Sequence, residues 1–528
     1  MKYDVIIIGG GHNGLVAAAY LAKAGRKVVV LEKRSVPGGA AATEKVFENC
    51  LIDTGAHDAG LFRPEIVKDL GLAEHGLEFV ESSVAAFAPQ PEGDPLFLWR
   101  DSEKNTAEIA VHSKKDAERF PAFVRQIHRF ADVLSQVMLL PPPNPRERNF
   151  SELFQWLKPA LKLKGLGERD MMEFLRFLPM TATEFLNEWF ENDLLKGLLG
   201  AASVTGSLQG PQSGGTAFML LYHYLGGENG GFRSSRFVRS GVGKLSEALT
   251  KAAGEFGAEI RFNAGAAEIK LAQGRAVGVV LENREEIQAE TVVSSLDPRL
   301  TFFSLIGAPN LEVAFMRRVR NIRFKGSTAK INLVASELPA FKNAPSGEDH
   351  LRGHIIINPS LDYLERAYDD AKYGEISKHP MLDVTIPTLH SPEMAPENHH
   401  ILSITMQFAP YHLREGDWKN SRDELLKITL DKLAEYAPNV KDSIVHQQVL
   451  TPLDWEQDYG LTEGSIFHGQ MALDQMLFMR PVAGYGQYKT PIDGLFLCGS
   501  GAHPGGGLTG APGRNAAKII LKSTAMLS

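Results

Sequence analysis

Asp4-Val5-Ile6-Ile7-Ile8-Gly9-Gly10-Gly11-His12-Asn13-Gly14 opens the stretch, ending at Glu32, whose reading decides the fold. Asp4 to Ile8 is a short β-branched run suited to a central parallel strand, buried on both faces. The glycines follow the spacing Gly9-x-Gly11-x-x-Gly14. Leu15 to Gly25 carries helical apolar spacing, Lys27 to Leu31 reads as a second strand, and Glu32 closes it eighteen residues beyond Gly14. Each part has a physical task. Gly9 permits a tight turn, Gly11 lets backbone approach a pyrophosphate, and Gly14 lets helix pack on strand. The helix start at His12 and Asn13 turns unpaired N–H groups and a positive dipole end toward the phosphates. Glu32 can accept hydrogen bonds from a ribose diol. Strand, turn, helix, strand and acid in this register predict a dinucleotide-binding unit.

The residues after Glu32 narrow the cofactor. Lys33-Arg34-Ser35-Val36-Pro37-Gly38-Gly39-Ala40 places a glycine doublet shortly after the acid. This arrangement resembles two-domain flavoproteins of the glutathione-reductase and amine-oxidase type. The resemblance implies non-covalent FAD, with Lys33, Gly38, Gly39 and Ala40 beside it. Ala40 departs from the arginine common there in amine oxidases, so a salt bridge is missing. Asp53-Thr54-Gly55-Ala56-His57 resembles a segment that approaches the flavin ring; an ordinary loop is the other reading.

The C-terminal end continues the pattern. Pro491 to Gly501 reads as a turn, a strand and a glycine-rich exit. His503-Pro504-Gly505-Gly506-Gly507-Leu508-Thr509-Gly510 precedes a helical stretch from Ala511 to Leu527, with Pro512 near its start. No strand and acid follow, so this is not a second nucleotide unit. It is expected to form a backbone cradle for the ribityl chain and flavin, with Gly499, Gly501, Gly507, Leu508 and Gly510 in contact. A helix N-terminus there would favour the reduced flavin. In the middle, Gly241 to Phe256 and the strands that follow resemble the inserted FAD segment of amine-oxidase-like flavoproteins. Backbone at Ala266 and Ala267 would meet the adenine.

The tail from Leu495 to Ala517 and the run from Gly464 to Pro481 look like phytoene desaturase-type flavoproteins. Within them, the branch named after a pyridine nucleotide-disulfide oxidoreductase domain is most similar. The carotene-ketolase branch shares Phe185 to Phe190, Ser391 to Pro396 and Ala472 to Met476. The resemblance covers nearly the whole chain. It implies an α/β protein in which a Rossmann-like FAD-binding domain (1–85, 235–300 and 480–528) is interwoven with a mixed α+β substrate domain (86–234 and 301–479). The implied activity is removal of hydride from a carotenoid-like or other isoprenoid substrate. An apolar small molecule is then the expected partner, with oxygen or a quinone as electron acceptor. A ketolase-like or amine-oxidase-like flavoenzyme, or a FAD-fold protein with a binding or scaffold role, are the alternatives.

Composition sets outer bounds. The chain has 528 residues, 44% hydrophobic and 23% charged, typical of globular proteins. Its length corresponds to roughly two to four domains. Net charge −7 argues against a nucleic-acid partner. Cys50 and Cys498 are the only cysteines, so no CxxC pair exists, and no metal-ligand spacing appears. A strand pattern from Tyr3 leaves no room for a signal peptide, and no apolar run is long enough for a bilayer. The expected location is cytoplasmic, soluble or peripherally membrane-associated.

Little side-chain chemistry is demanded by such a flavin site. His503, flanked by glycines, and His57 are the catalytic candidates, for positioning or for proton transfer; Asp474 and His223 are further polar groups. Residues 138–180 interleave Phe154, Trp156, Leu157, Leu161, Leu163 and Leu166 with Lys158, Lys162, Lys164 and Arg169. That mixture suits an interfacial, membrane-facing segment, and equally a helical cap packed on its own core.

Overall fold

The computed structural model describes residues 2–143, 150–226 and 232–525. Asn144 and Pro145, within the proline-rich part of the 138–180 segment, lie outside the described residues.

Two seven-stranded sheets organise the chain. The first is built on strand Lys2–Ile8, whose apolar run is buried from Val5 onward. Val28–Leu31 and Glu286–Ser294 flank it in parallel, with Glu259–Arg261 beyond the former and Leu495–Leu497 beside the latter's C-terminal half. Arg275–Leu281 and Ala266–Ala272 extend the sheet antiparallel. Its register brings Leu31, Ile8, Ser294 and Leu497 into one row, so four parallel strands end together. In open α/β sheets a ligand binds beyond that carboxyl edge.

Helix His12–Lys23 covers this sheet and packs against Gly243–Glu255 and Ala511–Ala525. The second crossing is close. A Cβ on Gly513 would stand 2.2 Å from the carbonyl oxygen of Asn13, so only glycine lets the C-terminal helix approach the loop-to-helix turn.

The second sheet runs Ile444–Leu450, Thr328–Ala335, His400–Gln407, Met381–Thr385, His354–Ile357, Val84–Ala88 and Leu96–Trp99. Val84–Ala88, which spans the 85/86 division, thus pairs within this sheet. Alternation gives each strand two faces. Ile331, Leu333, Leu382, Val384, Leu402 and Ile404 point into an apolar core shared with helix Trp418–Tyr436. The opposite face presents Thr328, Lys330, Asn332, Asp383, Thr385, Ser403, Thr405 and Gln407. All of these but Thr405 are buried as well. A buried polar sheet face is costly unless its groups are paired or line a cavity.

A helical layer containing Lys114–Met138, Glu168–Phe177, Ala182–Trp189 and Thr216–Tyr222 adds a third core rich in phenylalanine. Among the described residues, no helix is long and apolar enough to cross a membrane.

Candidate functional site

The first cavity, about 400 Å³, lies at the carboxyl edge of the first sheet. Gly9, Gly11, His12, Asn13, Glu32 and Lys33 line it, followed by Gly38, Gly39, Ala40 and Ala266. Ala267 is exposed and does not line it. The three motif glycines separate by task. A Cβ on Gly14 would fall 2.1 Å from the Gly9 carbonyl oxygen, so its hydrogen is what seats the helix on the turn. A Cβ on Gly11 would meet nothing nearer than Ser295 Oγ at 3.9 Å. Space there is open to a ligand. Gly11 is also the N-cap of helix His12–Lys23, with no side chain capping it. The first-turn N–H groups therefore remain for an anion.

Glu32 is buried and tied down. Its Oε2 accepts from the Gly10 amide at 2.6 Å and its Oε1 from the Arg34 amide at 2.8 Å, fixing the carboxylate at the cavity wall. The Gly38 amide donates to the Gly10 carbonyl at 2.8 Å, which lays the glycine doublet alongside the nucleotide turn. Asn13 Oδ1 and His468 Nδ1 are buried without hydrogen-bond partners among the described residues, and both residues line this cavity. An open cradle at Gly11, a fixed acid and leftover polar atoms fit the pyrophosphate, ribose and ring of a dinucleotide.

The C-terminal glycines divide differently. Gly507 and Leu508 line a second cavity, and Ser500 lines both. Gly499, Gly501 and Gly510 line neither; added Cβ atoms would stand 2.2 Å from Ser295 O, 2.5 Å from Pro298 Cδ and 2.8 Å from Ile66 Cδ1. Those three are required by protein-to-protein contact. His503 lines neither cavity. It is fully buried, its ring stacked on Phe478 at 5.8 Å, and its carbonyl accepts from Tyr488 Oη at 2.9 Å.

The second cavity, about 210 Å³, shares His12, Ala40, Ile466 and Ser500 with the first, so the two are neighbours through a common wall. Part of its lining is apolar: Leu61, Trp455, Phe467 and Leu508. The polar part includes His57, Asp58, His223, Arg233, Lys330, Asp383 and Thr405. His354, behind them, donates from both ring nitrogens, to Asp383 Oδ1 at 2.7 Å and Asp58 Oδ2 at 2.9 Å. Arg233 closes the network on the other oxygen of Asp383. Burial disfavours the imidazolium, yet Asp383 chiefly holds the His354 pKa above its ordinary value. Burial likewise opposes both carboxylates. Arg233 and His354 nevertheless keep Asp383 well below the usual range, and His354 with Arg233 lowers Asp58 to about 2. The result is two cations and two anions, mutually neutralised.

Lys330 lies beside that balance, with Asp53 and Asp383 only partly offsetting the cost of its burial. Its Nζ lies 2.6 Å from His57 Nδ1, and burial pushes its pKa down to about 7. Burial, and then Lys330, push the His57 pKa well below the ordinary value. An amine and an imidazole, both able to be neutral near pH 7, therefore share one wall. His57, His354 and Asp383 offer atoms within 4.8 Å of one another, but the adjoining Arg233 and Lys330 make the group an ion-pair network rather than a cation cage.

A cofactor cavity at a Rossmann-like sheet edge, joined to a second cavity with a titratable wall, defines a FAD-dependent oxidoreductase. The chain belongs to the family described as flavin containing amine oxidoreductase, whose profile matches residues 14–521. It is 34% identical, over 99% of this chain and 94% of the relative, to pyridine nucleotide-disulfide oxidoreductase domain-containing protein 2 of Rattus norvegicus. It is 28% identical, over 98% of this chain and 94% of the relative, to a limonene dehydrogenase component of Castellaniella defragrans. An oxidoreductase structure from Methanosarcina mazei shares the fold with a TM-score of 0.63 and 16% identity, covering 99% of this chain and all of that one. Both cysteines here are free and buried, so the disulfide in the first relative's name has no counterpart in this chain.

Lys330, Asp383, His354, Asp58 and Arg233 do not stand out in the sequence. Their one signal is polar residues at alternate positions of otherwise apolar strands, as in Thr328-Ala329-Lys330-Ile331-Asn332-Leu333. That pattern ordinarily marks a solvated face.

Proposed function

We propose that the protein is an FAD-dependent dehydrogenase of an apolar, isoprenoid-like substrate, with Lys330 and His57 handling the proton released on oxidation. Bound FAD supplies the two-electron acceptor. The second cavity supports this reading: its apolar lining residues suit a hydrocarbon body, it adjoins the first cavity through His12, Ala40, Ile466 and Ser500, and Lys330 and His57 are part of its lining. A neutral Lys330 amine takes a proton, and His57 Nδ1 orients that amine by hydrogen bonding. His503, away from both cavities, is left a packing role. The limonene dehydrogenase relative is consistent with an isoprenoid substrate, and oxygen or a quinone then reoxidises the flavin. An ammonium substrate, as the amine-oxidase alternative requires, would find both cavity carboxylates already neutralised by His354 and Arg233. Anaerobic mixing of the yellow protein with a set of isoprenoids and with putrescine tests the reading. Isoprenoids should bleach the flavin; bleaching by putrescine alone would overturn it.

Delivery of such a substrate from a lipid surface is the second part of the reading. Helix Phe150–Lys164 turns Trp156 and Pro159 inward, while Phe154, Leu157 and Leu161 are 74%, 46% and 57% exposed at i, i+3 and i+7. Lys158 and Lys164 border that face. An apolar stripe edged by lysines matches an anionic interface locally, against the chain's net charge of −7. The protein should float with phosphatidylglycerol vesicles at low salt, and Phe154→Ser with Leu157→Ser should abolish flotation. Equal flotation of wild type and variant removes this part.

A further inference from the structure

In the second sheet, Lys330 is the register partner of Thr405, and Thr405 is the register partner of Asp383. Three polar residues of neighbouring strands thus form one row on one face. Opposed residues of an antiparallel pair hold their Cβ atoms about 4.5–5.5 Å apart, close enough to share a ligand atom. All three line the second cavity. Two are engaged: Lys330 by His57, Asp383 by His354 and Arg233.

Thr405 differs from both. Its hydroxyl has no hydrogen-bond partner among the described residues. Along strand His400–Gln407, every residue is buried except the first and Thr405. In a strand paired on both sides, exposure in mid-strand means that the side chain opens on the cavity. The same cavity is also lined by the apolar side chains of Trp455, Phe467 and Leu508.

We propose that Thr405 and Lys330 form a subsite for one neutral oxygen atom of the substrate, a hydroxyl or a carbonyl. The proposal rests on the isoprenoid reading above and deepens it: the ligand is an oxygenated isoprenoid, its oxygen on the polar row and its hydrocarbon against the apolar side chains. A pure hydrocarbon would strip water from the Thr405 hydroxyl and the Lys330 amine and give nothing back. A site built to hydrogen-bond a substrate group discriminates against the analogue that lacks it. An ammonium group would approach Lys330 and Arg233 with no free carboxylate to meet it. A threonine hydroxyl, which both donates and accepts, serves alcohol and carbonyl alike. The enclosed volume, about 210 Å³, is below the roughly 300–1,000 Å³ of drug-sized pockets, so the portion held here is short.

The test compares hydrocarbon and alcohol on matched skeletons, limonene with carveol and farnesene with farnesol, using anaerobic FAD-loaded protein. Affinity is read from ligand-dependent shifts in melting temperature, and site occupancy from the change in flavin absorbance. In the wild type, the alcohol of at least one pair should bind on the order of ten-fold tighter than its hydrocarbon. Thr405→Val, which exchanges the hydroxyl for a methyl group of similar shape, should erase that preference. Thr405→Ser should retain it. Hydrocarbons that bind as tightly as alcohols, or a preference that survives in Thr405→Val, overturn the proposal while leaving the isoprenoid reading standing. If no member of either pair perturbs the flavin and putrescine does, the isoprenoid reading fails and the subsite with it.

Discussion

Gly11→Ala yields a folded protein that has lost most of its affinity for FAD. The new methyl group meets only Ser295 Oγ, at 3.9 Å, so the apoprotein has no internal reason to rearrange. The Gly11 backbone, at φ −65° and ψ 164°, is ordinary extended geometry that alanine adopts freely. Its apoprotein stability should stay within about 0.5 kcal/mol of wild type. What the methyl occupies is the space through which a pyrophosphate reaches the first-turn amides of helix His12–Lys23. Losing charge-assisted hydrogen bonds of about 1.5–3 kcal/mol weakens binding roughly 10- to 100-fold. Gly14→Ala behaves otherwise. Its Cβ would stand 2.1 Å from the Gly9 carbonyl oxygen, and pushing helix from turn costs about 1–3 kcal/mol before any ligand is considered. Calorimetric FAD titration of each apoprotein, alongside urea melts, separates the two. Gly11→Ala that binds FAD like wild type would place the pyrophosphate elsewhere.

That pair of variants also marks what could be read from sequence. The strand, glycine spacing, helix and Glu32 are legible because each is fixed by local chemistry within 32 residues. The C-terminal glycines are legible only as a group. A glycine that faces a cavity, like Gly507, and one that faces protein, like Gly499 against Ser295, leave the same letter in the chain. His503 illustrates the same limit, since flanking glycines say that backbone turns tightly but not which way the ring goes. The Asp58–His354–Asp383–Arg233 network is further from reach. Asp58 and His354 are 296 positions apart, and nothing local distinguishes them from surface residues. Lys330 is concealed by its own periodicity. Alternation with Ala329 and Ile331 announces a strand with one wet face, and only the helical layer and the first sheet turn that face inward.

Because the face is inward, Lys330→Met should raise stability and remove activity together. Burial holds the Lys330 pKa at about 7 in the folded protein, against 10.5 for the ordinary side chain. Between those values the unfolded chain binds a proton that the native state does not, so stability rises with pH across that window. Below about pH 7 the native protein carries a buried ammonium whose cost Asp53 and Asp383 offset only in part. Methionine, of similar length and without charge, removes this cost and should stabilise by about 1–4 kcal/mol near pH 6. The gain should shrink as pH approaches 10.5. Flavin reduction should move oppositely. In wild type its rate climbs as pH rises through about 7, when the amine becomes free to accept a proton. In Lys330→Met it should be roughly 100- to 10,000-fold slower, with that rise gone. Lys330→Arg separates the two effects, since a guanidinium stays charged and should lose the rate without gaining the stability. Urea melts across pH, paired with anaerobic stopped-flow, measure both. A Lys330→Met protein that keeps the wild-type pH profile would show that the proton leaves by another group. A higher melting point bought at the expense of turnover is instead the expected mark of a residue kept buried for its chemistry.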